Sequence, residues 1–107
     1  MKLSVLSEGL SQKKRIGDAE VISLCADSRA VGEGDLFFCL VGTHADGHLF
    51  AKEALRRGAA AFVTEHELPL PAPQLIVPDA REAMARIAAA FYGHPERRLK
   101  LIGITGT

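Results

Sequence analysis

With 107 residues, 48 % apolar and 24 % charged, the sequence has material for one packed core and no room for a second catalytic domain. Its thirteen Lys and Arg balance thirteen Asp and Glu, which removes the broad positive field on which non-specific nucleic-acid and membrane-surface binders rely. Met1-Lys2-Leu3-Ser4 starts no signal-peptide pattern and no apolar run is long enough to span a bilayer, so a cytoplasmic protein is expected, and a core within the one segment makes an independently folded monomer the expectation.

Leu3, Leu6 and Leu10 have the spacing of a short amphipathic helix, and the charged stretch Gln12 to Asp18 reads as a loop. Val21-Ile22-Ser23-Leu24-Cys25 is a strand, with Ala26-Asp27-Ser28-Arg29 at its C-terminal end. After the turn formers Gly32-Glu33-Gly34-Asp35, the unbroken apolar run Leu36 to Val41 predicts an internal strand covered on both faces. A loop from Gly42 to His48 leads to a helix that carries Phe50, Ala51, Ala54 and Leu55 on one face and stops at Gly58.

Ala59 to Thr64 is the next strand, and a proline-bearing connection from Leu68 to Pro73 leads into the short strand Leu75-Ile76-Val77. Asp79 and Glu82 form a capping-box pattern ahead of a helix whose face is Met84, Ile87, Ala88 and Phe91, ended by Gly93 and Pro95. Lys100 to Thr105 begins another strand. Alternating strands and helices make the fold α/β, with a small mixed or parallel sheet flanked by helices.

Cys25 and Cys39 stand singly in apolar stretches, the pattern of small buried side chains. Asp27-Ser28-Arg29 offers an acceptor, a hydroxyl and a fork of donors, suited either to a polar ligand at a sheet edge or to a loop cap with a surface ion pair. His44-Ala45-Asp46-Gly47-His48 lacks the second cluster that a zinc site needs; a tight loop with Asp46 accepting backbone bonds and Gly47 at positive φ accounts for it better. In a doubly wound order the two loops open on the same sheet edge. Gly103-Ile104-Thr105-Gly106-Thr107 follows an apolar strand, as a phosphate-cradling loop does, but also suits a plain turn at a chain end. No serine or histidine stands in a nucleophilic-triad pattern.

Asp27-Ser28-Arg29, Gly34-Asp35-Leu36-Phe37-Phe38, Gly42, Asp46-Gly47-His48, Ala54 and Gly58-Ala59 together resemble the N-terminal domain of Mur ligases. The match continues through Val77-Pro78-Asp79, Arg81, Ala88, Phe91-Tyr92, Pro95 and Leu101 to Thr107, so it runs from about Val21 to the end. Within the family, Asp79 through Tyr92 with Pro95 is similar to the branch that adds the third peptide residue, ahead of the branch that adds D-alanyl-D-alanine.

The resemblance implies that residues 1–102 hold the UDP end of UDP-N-acetylmuramoyl-L-alanyl-D-glutamate for an ATP-dependent, amide-forming ligase of peptidoglycan precursor synthesis. Ser28 would hydrogen-bond the nucleotide end, Ala26 and the Thr43-His44-Ala45 loop would line it, and Asp27 and Arg29 would shape the strand end. Residues 103–107, with Gly103, Thr105, Gly106 and Thr107, would begin the loop that binds ATP and magnesium in a central domain. The chain by itself is then expected to be inactive and free of cofactor, and the choice between diaminopimelate and lysine would lie in a C-terminal domain. A stand-alone α/β interaction domain is the rival from another class.

Overall fold

The computed structural model of the chain describes residues 1–8, 10, 14–41 and 46–92. Its elements are α1 (Leu3–Leu6), β1 (Lys14–Ile16), β2 (Ser23–Cys25), β3 (Asp35–Phe38), a 3-10 turn (Gly47–Phe50), α2 (Ala51–Arg56), β4 (Ala61–Thr64), β5 (Gln74–Ile76) and α3 (Ala80–Phe91). The strands form one sheet in the order β1-β5-β4-β3-β2. β2, β3, β4 and β5 are parallel and β1 runs antiparallel along β5, so the expected α/β fold takes the mixed form.

The register sorts side chains by face because neighbours along a strand point to opposite sides. Leu24 lies beside Leu36 and Leu36 beside Ala61, while Cys25, Phe37 and Phe62 form the next row on the other side. The first row joins Phe38, Val63, Leu75 and Val77 in a core closed by α1 and α3. The second joins Cys39 and Val31 under Ala51 and Ala54 of α2. Helices on both faces make three layers, and the continuous apolar run Leu36 to Cys39 reflects a strand buried on both sides.

α3 follows from its sequence directly. Asp79 sits in extended backbone and its Oδ1 accepts from the N–H groups of Arg81 (3.0 Å) and Glu82 (3.2 Å), which satisfies two of the helix's orphan donors. Glu65, just past β4, accepts from the Ala80 N–H at 2.9 Å and ties this helix start to the sheet. Ala80, Ala83, Met84, Ile87 and Phe91 are buried, a stripe at helical spacing; Ala88 is half-buried beside it. Burying side chains of the size of Ile87 and Phe91 contributes about 1.5–3 kcal/mol each.

α2 ends as expected at Gly58, whose φ of 110° favours glycine, and a Cβ there would stand 2.8 Å from the Glu33 Cα. The helix expected from Phe50 begins one turn earlier as the 3-10 segment. The stretch Gln12 to Asp18, expected as a loop, contains β1. Its three residues pair with Gln74 to Ile76, and exposed Lys14 and Arg15 keep the open edge charged against further pairing. Both cysteines are buried and neither forms a disulfide; burial, and then the charge of Asp46, push the Cys39 thiol up to about 12, so it stays protonated at neutral pH. No helix among the described residues is long and apolar enough to cross a membrane. The expected strand at Lys100 to Thr105 and the segment 103–107 lie outside the described residues.

Candidate functional site

The parallel strands end on one edge of the sheet, and ligands of open α/β folds bind in the crevice beyond such ends. Here that edge carries a cleft of about 700 Å³, within the roughly 300–1,000 Å³ of small-molecule sites. One wall is the turn after β2, from Ala26 to Arg29; Phe37 and Leu40 of β3 and its end lie beneath. Gly47, Phe50, Glu53 and Arg57 form the opposite wall, and Arg81 reaches it from the first turn of α3.

In the β2 turn the Asp27 Oδ1 accepts the Arg29 N–H at 2.9 Å, and its carboxylate also takes the Arg29 guanidinium at 3.2 and 3.3 Å. The Arg29 side chain and then its backbone N–H hold the Asp27 carboxyl below the usual carboxylate range, and Asp27 in turn raises Arg29. Asp27 and Arg29 thus shape the turn as a cap and surface ion pair. Ser28, between them, is half-buried in the cleft wall, and no described residue takes up its hydroxyl.

The second loop is fastened at its return. Val41 and Asp46 form an antiparallel bridge, and Gly47 donates its N–H to the Leu40 carbonyl at 2.6 Å. Gly47 does not take the positive φ expected of it; Gly17, Gly34 and Gly58 do. Its requirement is space: a Cβ would stand 2.6 Å from the Leu40 nitrogen and 2.9 Å from the Leu40 oxygen. Asp46 accepts backbone bonds as expected, its Oδ1 taking the His48 N–H at 2.9 Å and the ring Nδ1 at 2.6 Å. The first of these bonds, then the second, lowers the Asp46 carboxyl below its ordinary value.

His48 is buried, and its Nε2 accepts the Glu65 N–H at 3.0 Å, which assigns the ring proton to Nδ1. The imidazole therefore joins the loop after β3 to the end of β4, with His66 stacked on it at 4.3 Å. Ser28 and Gly47 face the same cleft, so the β2 turn and the described end of the second loop share one edge of the sheet. Thr43, His44 and Ala45 lie outside the described residues. Phe50, Glu53, Arg57 and Arg81 were not anticipated as site residues. Phe50, Glu53 and Arg57 are spaced three and four apart, the signature of one helix face, and that spacing was the signal available for them.

The family model described as "Mur ligase family, catalytic domain" matches residues 20–92, more than half of the chain. The chain belongs to the Mur ligase family. It is 54 % identical over 91 residues to the UDP-N-acetylmuramoyl-L-alanyl-D-glutamate--2,6-diaminopimelate ligase of Geobacillus kaustophilus, covering 85 % of this chain and 19 % of that protein. With the ligase of the same name from Halalkalibacterium halodurans it shares 46 % over 109 residues, covering 100 % of this chain and 22 % of that one. Among solved structures, the MurF ligase of Thermotoga maritima in complex with ADP superimposes with a TM-score of 0.60 at 32 % identity, over 66 % of this chain and 17 % of that one. The chain thus spans about a fifth of the length of these Mur ligase relatives.

Proposed function

We propose that the cleft seats the uridine-diphosphate end of UDP-N-acetylmuramoyl-L-alanyl-D-glutamate, for a cytoplasmic ligase that adds 2,6-diaminopimelate in peptidoglycan precursor synthesis. The observation that carries this is the half-buried Ser28, its hydroxyl without a described partner, on a ligand-sized cleft at the C-terminal edge of parallel strands. That cleft lies in a chain about half identical to ligases named for this substrate and this amino acid. The diaminopimelate-adding reading is favoured over the D-alanyl-D-alanine-adding one by those names at 46 and 54 % identity; the likeness to MurF structures is more distant.

In this reading Ser28 binds the nucleotide, Ala26 and the Thr43-His44-Ala45 segment line it, Asp27 and Arg29 hold the turn, and Asp46 and Gly47 set the loop's return. Residues 1–102 form the substrate-binding unit, and Gly103, Thr105, Gly106 and Thr107 begin the loop for ATP and magnesium. The glutamyl carboxylate is activated by phosphorylation as an acyl phosphate, from which the incoming amine displaces phosphate; the described residues serve that chemistry by holding the far end of the substrate.

The test is calorimetric titration of UDP-N-acetylmuramoyl-L-alanyl-D-glutamate into the wild-type chain and Ser28→Ala. Loss of one neutral hydrogen bond should weaken binding by about 0.5–1.5 kcal/mol, with the melting temperature unchanged because no cavity of consequence forms. Equal affinity of the two proteins would remove Ser28 from the site.

A further inference from the structure

Five charged side chains face the cleft: Asp27, Arg29, Glu53, Arg57 and Arg81. Four of them neutralise one another in pairs. Asp27 holds Arg29, and Glu53 holds Arg57 at 2.9 Å and, outside the cleft, Arg56 at 2.5 Å. Arg81 has no carboxylate within ion-pair distance among the described residues. Its side chain bonds the Val41 carbonyl at 3.3 Å, the long end of the hydrogen-bond range.

Its position adds to the anomaly. Arg81 is the second residue of α3, where the helix presents its positive end and acidic side chains are favoured. Asp79 already caps the helix, so the guanidinium does not serve the helix either. A cation that opposes the helix dipole, lacks an acidic partner and lies on a cleft wall is matched by an anionic group of the ligand.

We propose that Arg81 binds the diphosphate of a nucleoside-diphosphate sugar whose nucleoside end lies at Ser28. The proposal rests on the reading of the cleft as a UDP-sugar site and names the residue that reads its charge. Arg81 is tied to the ends of two strands, through Val41 after β3 and through the Ala80 N–H on Glu65 after β4. The Val41 carbonyl that holds the guanidinium follows β3, the strand next to β2 in the sheet, so Arg81 and Ser28 stand at adjacent strand ends of one cleft. In such a ligand the diphosphate follows the base by one ribose and the glutamyl carboxylates lie further on, past the sugar, so the diphosphate is the anion nearest a base held at Ser28. A guanidinium fork suits two phosphoryl oxygens at once.

The experiment is a set of NMR titrations of UDP and of uridine into the wild-type chain, Arg81→Ala and Arg81→Gln, at low and high salt. Gln keeps a donor for the Val41 carbonyl and loses only the charge, so it separates ligand binding from loop tethering; thermal melts of each variant confirm folding. Both variants should bind UDP about ten- to a hundredfold more weakly, the effect of losing a hydrogen bond to a charged partner, and bind uridine within twofold of wild type. Wild-type affinity for UDP should also fall more steeply with salt than that of either variant. Unchanged UDP affinity and salt slope in Arg81→Gln would overturn the Arg81 assignment and leave the UDP-sugar site standing. Equal losses of UDP and uridine would also overturn it, since Arg81 would then only shape the cleft. Absence of UDP binding by the wild-type chain would overturn the site itself.

Discussion

The two faces of the sheet are built differently. Under α1 and α3 lies the larger core, mostly leucine, isoleucine, valine and phenylalanine with Met84 and three alanines, closed by a helix of twelve residues with a capped N-terminus. Under α2 the smaller core is Phe37, Phe62, Val31, two cysteines and three alanines, with a helix of six residues. Alanine at positions 51 and 54 lets α2 come close to the two phenylalanine rings, and its short length leaves the edge beyond β2 and β3 open as the cleft. Stability is therefore concentrated on the α3 face, while the cleft lies mostly on the α2 face and takes only Arg81 from the first turn of α3, so substitutions in the α3 core and around the cleft should have separable effects.

Ile87→Ala on the α3 face should have the largest effect on folding. Ile87 is fully buried, and truncating such a side chain costs about 2–5 kcal/mol, a loss readable as a lowered midpoint in urea. Affinity for UDP-N-acetylmuramoyl-L-alanyl-D-glutamate, measured where the variant is folded, should stay within twofold. Loss of binding in the folded variant would show the two faces to be coupled.

Gly47→Ala should lower both stability and affinity, because the turn it holds is part of the cleft wall. The added methyl would press on the Leu40 backbone, which cannot swing aside as a flexible side chain can. Overpacking of this kind costs about 1–3 kcal/mol, and relief requires the 3-10 turn to move off the end of β3, taking Phe50 and the cleft wall with it. The melting temperature and the affinity should both fall. A variant that lost stability and kept full affinity would break the link between this turn and the site.

The parts legible in sequence were those with a local cause. Asp79 and the stripe from Met84 to Phe91 carry α3 within one stretch of chain, and Gly58 marks the end of α2 through its own backbone. β1 has no such mark: Lys14 and Arg15 are charged and exposed, and only the pairing with β5, some sixty residues on, makes them a strand. Gly47 was misread because Asp-Gly fits a turn of positive φ, whereas its actual requirement is a close approach to Leu40, which lies in another element. For the same reason the place of Ser28 on the cleft wall follows from its position after β2, while that of Arg81 does not follow from its position in α3. Nothing local to α3 says that its first turn meets the cleft.

The smallest expected effect lies at Asp46, where the α2 face is fastened by charge. Its carboxylate accepts from the His48 backbone N–H and from the buried ring, and these bonds hold its carboxyl below the ordinary 3.8. A carboxyl lowered in the folded state adds stability that is fully present above the ordinary value and is lost as pH falls through the lowered one. Asp46→Asn keeps an acceptor oxygen and removes the charge. Because the Asp46 side chain is 41 % exposed and screened by water, the difference from wild type at pH 7 should not exceed about 1 kcal/mol. Urea unfolding of both proteins at pH 7, 5 and 3 should show that difference intact at the two higher values and shrinking at the lowest, as the wild-type carboxylate takes up its proton. Ile87→Ala, by contrast, should keep the same deficit at every pH, since no titrating group is removed. A constant gap for Asp46→Asn from pH 7 to 3 would mean that the neutral hydrogen bonds alone fasten the loop, and that the α2 face is held by packing as the α3 face is.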